Sequence, residues 1–165
     1  MRRMTMMPDK EHPQGPCAVC GRYRTPSPTV DAVIHDPERG VVLVRRKNLP
    51  LGWALPGGFV DYGERVEDAA AREALEETGI VVSVGELLGV YSDPARDARM
   101  HTISTVFIAE ARNPEAISAG DDAAEAQFFP LDALPPDIAF DHRAILDDFM
   151  AWKGYSRHSQ RETLI

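Results

Sequence analysis

Three glutamates crowd the stretch Arg72-Glu73-Ala74-Leu75-Glu76-Glu77-Thr78-Gly79-Ile80. At about 100° per residue, a helix through this stretch places Glu73, Glu76 and Glu77 within an arc of roughly 100° on one side. Ala71, Leu75 and Thr78 then fall on the other side, where a core-facing stripe belongs. Like charges at these spacings destabilise a helix by roughly 0.2 to 0.5 kcal/mol per pair, and no Lys or Arg is placed at the spacings that relieve this patch. A counter-ion is expected. All-oxygen donors select a hard divalent cation, Mg2+ or Mn2+, of the kind that bridges protein carboxylates to substrate phosphates. The upstream pair Gly57-Gly58 lets a backbone carbonyl approach the same point, where side chains would obstruct it.

The surrounding elements follow from composition and periodicity. Val66 to Thr78 holds strong helix formers without Gly or Pro, and Gly79 stands where a C-terminal cap glycine belongs. Val30 to Ile34 and Val41 to Val44 are β-rich runs separated by His35 to Gly40, which predicts a hairpin. Asn48 to Gly58 carries Pro50, Gly52, Pro56, Gly57 and Gly58, and is expected to be a tight loop without regular structure. Ile80 to Tyr91 is strand-like, Thr102 to Ala109 alternates as a strand does, and Ala126 to Phe129 is a short strand candidate. Ile138 to Trp152 reads as a closing amphipathic helix. Strands before, between and after two helices predict an α/β or α+β sandwich.

The chain has 165 residues, with 18 Lys+Arg against 26 Asp+Glu and a formal charge of −8. That length suits one domain of ordinary size. A surplus of acid without a basic cluster argues against nucleic-acid backbone binding. No apolar run reaches the ~18 residues that span a bilayer, and Met1-Arg2-Arg3 is not followed by an apolar stretch, so the cytoplasm is the expected compartment. Residues 1–29 read as a Pro-rich extension, 30–155 as the domain and 156–165 as a tail. The extension carries a lone C-x-x-C, Cys17 and Cys20. A zinc site needs four ligands and no second cysteine pair exists, so His12 or a second copy of the chain would have to complete it; a turn without metal is the expectation.

The run from Gly58 through Glu64, Arg72, Glu73, Glu76, Glu77 and Gly79 resembles the Nudix box, G-x5-E-x7-R-E-U-x-E-E-x-G-U, with Ile80 in the last apolar slot and Ala74 as its one soft match. The resemblance implies a Nudix-type α/β/α sandwich with a mixed central sheet. It implies Glu73, Glu76 and Glu77 as metal ligands, joined by the carbonyl of Gly57, and Arg72 with Glu64 as a pair that locks helix to loop. It also implies cleavage of a nucleoside diphosphate linked to another moiety, by water, with a carboxylate as base. Glu77 is the first candidate for that base, followed by Glu125 and Asp122.

Beyond the box, Tyr91-Ser92-Asp93-Pro94 puts a proline 15 positions past Gly79, a placement found in the ADP-ribose pyrophosphatase branch. Arg96, Arg99, His101-Thr102-Ile103-Ser104 and Ala139-Phe140-Asp141-His142 also resemble that branch. The implied reaction is ADP-ribose plus water to AMP plus ribose 5-phosphate, and the implied assembly is a homodimer. Two alternatives stay open: a house-cleaning pyrophosphatase acting on oxidised nucleoside triphosphates, and a catalytically silent nucleotide sensor. Arg45 and Arg46 end the second strand beside the glycine loop, where either could grip phosphate, as could Arg96, with Pro94 beside it. Trp53, Phe59 and Tyr91 are candidates for stacking on a base.

Overall fold

The computed structural model describes residues 25–120 and 123–155. The cysteine pair Cys17 and Cys20, the acid Asp122 and the tail 156–165 lie outside the described residues.

The central strand is β1 (Ser27–Asp36), which begins three residues before the start of the apolar run at Val30. A turn in which Asp36 Oδ1 accepts the N–H groups of Glu38 and Arg39 leads into β2 (Gly40–Arg46). The expected hairpin forms, but only His35–Val41 and Asp36–Gly40 pair across it. Beyond that point the two strands diverge. The gap is filled by β4 (Gly57–Phe59), whose three residues pair antiparallel with Thr29, Val30 and Asp31. β2 instead pairs with β3 (Trp53–Ala54) and with β7 (Ala123–Phe129). The Asn48–Gly58 segment therefore contains two short strands, where its breakers had predicted none. Its glycines do not block pairing because each strand is only two or three residues long.

On its other side β1 runs parallel to β6 (Thr102–Ala111), and β6 pairs antiparallel with the edge strand β5 (Val82–Tyr91). The sheet is mixed, as expected. Alternation along β1 sends Val30, Ala32 and Ile34 to one face and Val33 to the other. The first set packs on α1 (Val66–Thr78) through Ala69, Ala70 and Ala74. Val33 joins Ile145, Leu146 and Phe149 of α2 (His142–Trp152). The result is the expected α/β/α sandwich. No described helix is long and apolar enough to cross a membrane.

Two helix details depart from expectation. The buried stripe of α1 is Ala69, Ala70, Ala74 and Thr78, while Leu75 is half exposed. Small side chains let α1 lie close on the sheet, which explains the alanine at 74: it fits between Ala32, Ile34, Val42 and Ile80. The closing helix starts at His142, not Ile138, because Phe140 has φ +57 and cannot continue a right-handed helix. Ile138 instead bridges to Trp53. The C-terminus of α1 is as expected: Gly79 has φ 69 and its N–H reaches Leu75 O.

Candidate active site

The divergence of β1 from β2 opens a cleft lined by Asp31, Arg46, Gly57, Glu77, Arg96 and His142 among others. One wall is acidic. Glu77 Oε2 accepts the Gly57 N–H at 3.0 Å. Burial, with help from neighbouring Glu73 and Asp31, lifts the Glu77 carboxyl to about 7 despite that hydrogen bond and the nearby Arg46. Glu73 lies directly against Gly58, so that a β-carbon there would overlap its carboxylate. Burial also raises the Glu73 carboxyl, against the pull of Arg72.

The absence of a nearby cation inferred for the glutamate patch is corrected here. Arg72 Nη1 donates to Glu73 Oε1 at 2.8 Å and to Glu76 Oε2 at 3.1 Å. Arg72 stands four residues before Glu76, one of the very spacings at which no cation had been expected. The same guanidinium holds Glu64 with two parallel bonds, and its Nη2 also reaches Phe59 O at 3.1 Å. Glu64 accepts the Asp61 N–H as well, and the Arg72 hydrogen bonds hold its carboxyl near 2.

The opposite wall is basic. Arg46 lies over the Phe140 ring at 4.6 Å and Arg99 over the same ring at 5.3 Å. Arg46 is anchored by Nε to Pro50 O, and burial together with the charge of Arg99 lowers its affinity for a proton. Asp97 accepts Arg99 bidentately. Arg96, only 5% exposed, forks onto Asp141 at 2.8 and 2.9 Å and gives Nη1 to Thr102. Pro94 precedes Arg96 by two residues. It sits at the second position of the turn closed by Arg96 N–H to Asp93 O.

At the base of the cleft lies Asp31 on β1, hydrogen-bonded by Ser104 Oγ. His142 is fully buried and its Nδ1 accepts the Leu55 N–H at 2.9 Å. Burial lowers its pKa, so the ring is neutral with its proton on Nε2, 3.5 Å from Asp31 Oδ1. Neither Asp31 nor this use of His142 was read from the sequence. A lone aspartate in an otherwise apolar β-run, Val30-Asp31-Ala32-Val33-Ile34, was the available signal.

Of the other residues singled out, Arg45 points its guanidinium over Trp53 and toward Asp137 at 3.4 Å, away from Arg46. Glu125 is exposed on β7, opposite Arg45 in the ladder, so the two share a face. Trp53 is buried, and Tyr91 gives its hydroxyl to Asp148. Among the three aromatic candidates only Phe59 is half exposed and lines the cleft.

The site suits a hard cation by its donor chemistry: two desolvated carboxylates, Glu73 and Glu77, meet at a glycine turn with their charge incompletely balanced. Among the described residues no three ligand side chains form a finished cage, and Arg72 holds one oxygen each of Glu73 and Glu76.

A helix carrying acids against a glycine turn, on a mixed sheet between two helices, defines a class, and the chain matches the NUDIX domain family over residues 25–149: it belongs to that family of hydrolases. Over 134 residues it is 50% identical to the ADP-ribose pyrophosphatase of Methanocaldococcus jannaschii, covering 80% of this chain and 78% of that one. A NUDIX hydrolase from Nitrosomonas europaea superposes with a TM-score of 0.70 at 30% identity, covering 88% of this chain and 81% of that one. The NUDIX domain of Shewanella oneidensis NrtR, solved in complex with ADP ribose, gives 0.66 at 25% identity over 79% of this chain and 90% of that one.

Proposed function

We propose that the chain hydrolyses ADP-ribose to AMP and ribose 5-phosphate with Mg2+ or Mn2+. The observation that carries this reading is the cleft that brings Glu77 and the glycine turn, with Glu73 packed against Gly58, together with Arg46 and Arg99. Acid on one side and arginine on the other suits a diphosphate that arrives with a divalent cation. The 50% identity to an archaeal ADP-ribose pyrophosphatase favours this diphosphate over others.

Glu73, Glu76, Glu77 and the carbonyl of Gly57 would hold the cation. When bound, it neutralises the diphosphate and lowers the pKa of a coordinated water. Glu77 Oε2 accepts the Gly57 N–H, which would leave its other oxygen as the acceptor for the proton of the attacking water. Arg72 and Glu64 fix the helix against the glycine turn, so that these oxygens meet a substrate whose phosphates rest on Arg46. Glu125 stands on the face of Arg45 and has no part in this scheme.

The test is a panel of nucleoside diphosphate derivatives and triphosphates with Mg2+, scored for AMP and for pyrophosphate. AMP and ribose 5-phosphate from ADP-ribose is the expected outcome. Equal or faster turnover of 8-oxo-dGTP rejects it, and no turnover of any compound makes the chain a sensor.

A further inference from the structure

Glu77 stands one residue from the end of α1, in a turn that by itself would fray. The last carbonyls of a helix have no partner within it, and the last turn of α1 carries acids and no basic residue, against the direction of the helix dipole. The segment 112–120, which follows β6, supplies what the helix lacks. Arg112 N–H bonds Val81 O, and Asn113 Oδ1 accepts the Val81 N–H at 2.7 Å, so the segment is fastened just beyond the helix. It then returns over the helix end, where the Ser118 N–H reaches Thr78 O at 2.9 Å and the Gly120 N–H reaches Glu77 O at 3.1 Å.

Gly120 does more than cap the helix. Its carbonyl accepts the Ala123 N–H at 3.3 Å, and Ala123 is the residue of β7 that stands opposite Arg46 in the ladder. One glycine is thus bonded to the main chain of Glu77 on one side and to the partner of Arg46 on the other. Glu77, Arg46 and Ala123 line a common hollow. The approach admits no side chain: a β-carbon at position 120 would overlap Glu76 O and lie 3.2 Å from Glu77 Cα, main-chain atoms that no rotamer change can clear. The φ of Gly120 lies outside the left-handed region, so the requirement is one of space alone.

We propose that Gly120 is a positioning residue for the hydrolytic site: its two main-chain hydrogen bonds keep the last turn of α1 wound and fix Glu77 relative to Arg46. The proposal rests on the reading of Glu77 as cation ligand and base, and it names what holds that residue in place from outside the helix.

The experiment sets Gly120→Ala beside Asn113→Ala, which loosens the same segment and leaves position 120 untouched. Mn2+ binding is titrated by calorimetry without substrate, and kcat and KM for ADP-ribose are measured with Mg2+. Gly120→Ala is expected to weaken Mn2+ binding and to lower kcat, each about 10- to 100-fold, the scale for losing a group that orients a metal ligand. Asn113→Ala is expected to lower Tm and leave both unchanged. Unchanged Mn2+ affinity and kcat in Gly120→Ala overturn the proposal, and so do equal losses in Asn113→Ala, because a loose segment would then suffice.

If Gly120→Ala does not fold, amide hydrogen exchange of the wild type decides. Coupling is reciprocal, so a residue that holds the cation site must itself be held by the cation. Saturating Mg2+ is expected to slow exchange of the Gly120 N–H more than that of the Val81 N–H, and equal slowing or none overturns the proposal. A wild type that binds Mn2+ yet cleaves no nucleoside diphosphate removes the pyrophosphatase reading alone, since the binding and exchange measurements still decide the role of Gly120. A wild type that binds no Mn2+ removes both.

Discussion

Arg72 and Glu64 meet as two parallel forks, Nε 2.8 Å from Oε1 and Nη2 2.9 Å from Oε2, and so tie α1 to the turn that follows β4. Arg72 simultaneously holds Glu73 and Glu76, so the lock and the acidic wall share one guanidinium.

Glu64→Gln should therefore lower activity about 10- to 100-fold, the range seen when a group that orients ligands is lost, and should lower Tm. The Glu64 carboxyl is held near 2, below its ordinary 4.5. Its stabilisation is present above pH 4.5 and fades as pH falls toward 2. Urea unfolding of wild type and variant at pH 7 and at pH 3 checks this: the gap should narrow at the lower pH, and a constant gap contradicts the assignment.

Glu77→Gln should cost about 10²- to 10⁴-fold in rate, the span of a lost general base, with the fold intact. The folded carboxyl sits near 7, above its ordinary 4.5. Metal-free wild type therefore loses stability as pH rises from 4.5 to 7, and the variant should lack that slope. Thermal melts in chelator across this window, with kcat measured in Mg2+, decide the point.

The two glycines of the turn should respond differently to alanine. At Gly58 the new β-carbon meets the end of the Glu73 side chain, which can swing aside, so Tm should hold while activity falls. At Gly57 it meets the Val30 carbonyl, which belongs to the sheet and cannot move cheaply, so Tm itself should drop. Melting and activity of the two variants side by side would expose any failure of this distinction.

His142 should make the fold acid-sensitive. Burial depresses its pKa below the ordinary 6.5, so the unfolded chain takes up a proton first as pH falls. Stability should decline below pH 6.5 by up to about 1.4 kcal/mol per pH unit from this group. His142→Asn should flatten that component in urea unfolding between pH 5 and 8; an unaltered profile would assign the acid sensitivity elsewhere.

Much of this architecture is legible in the chain itself. Helix α1 begins and ends at the predicted Val66 and Thr78, because propensity, a clean interior and a cap glycine all agree there. The closing helix was read four residues too early, since Ile138 continues its apolar rhythm and nothing in the sequence announces the positive φ of Phe140. Arg46 and Arg45 are neighbours with equal claims in the sequence. Only the register of β2 against β3 and β7 sends one into the cleft and the other toward Asp137. Asp31 was invisible for a related reason: its partners Ser104 and His142 lie 73 and 111 positions further along, beyond the reach of local pattern.

The early parting of β1 from β2 carries a last implication. Two paired positions clamp the strands at one end, while β4 is wedged between them at the other. The spacing between the glycine turn and the strand that carries Arg46 is thus dictated by main chain. Such jaws have a set gauge, and they discriminate by the length of the bridge between charges as much as by its composition.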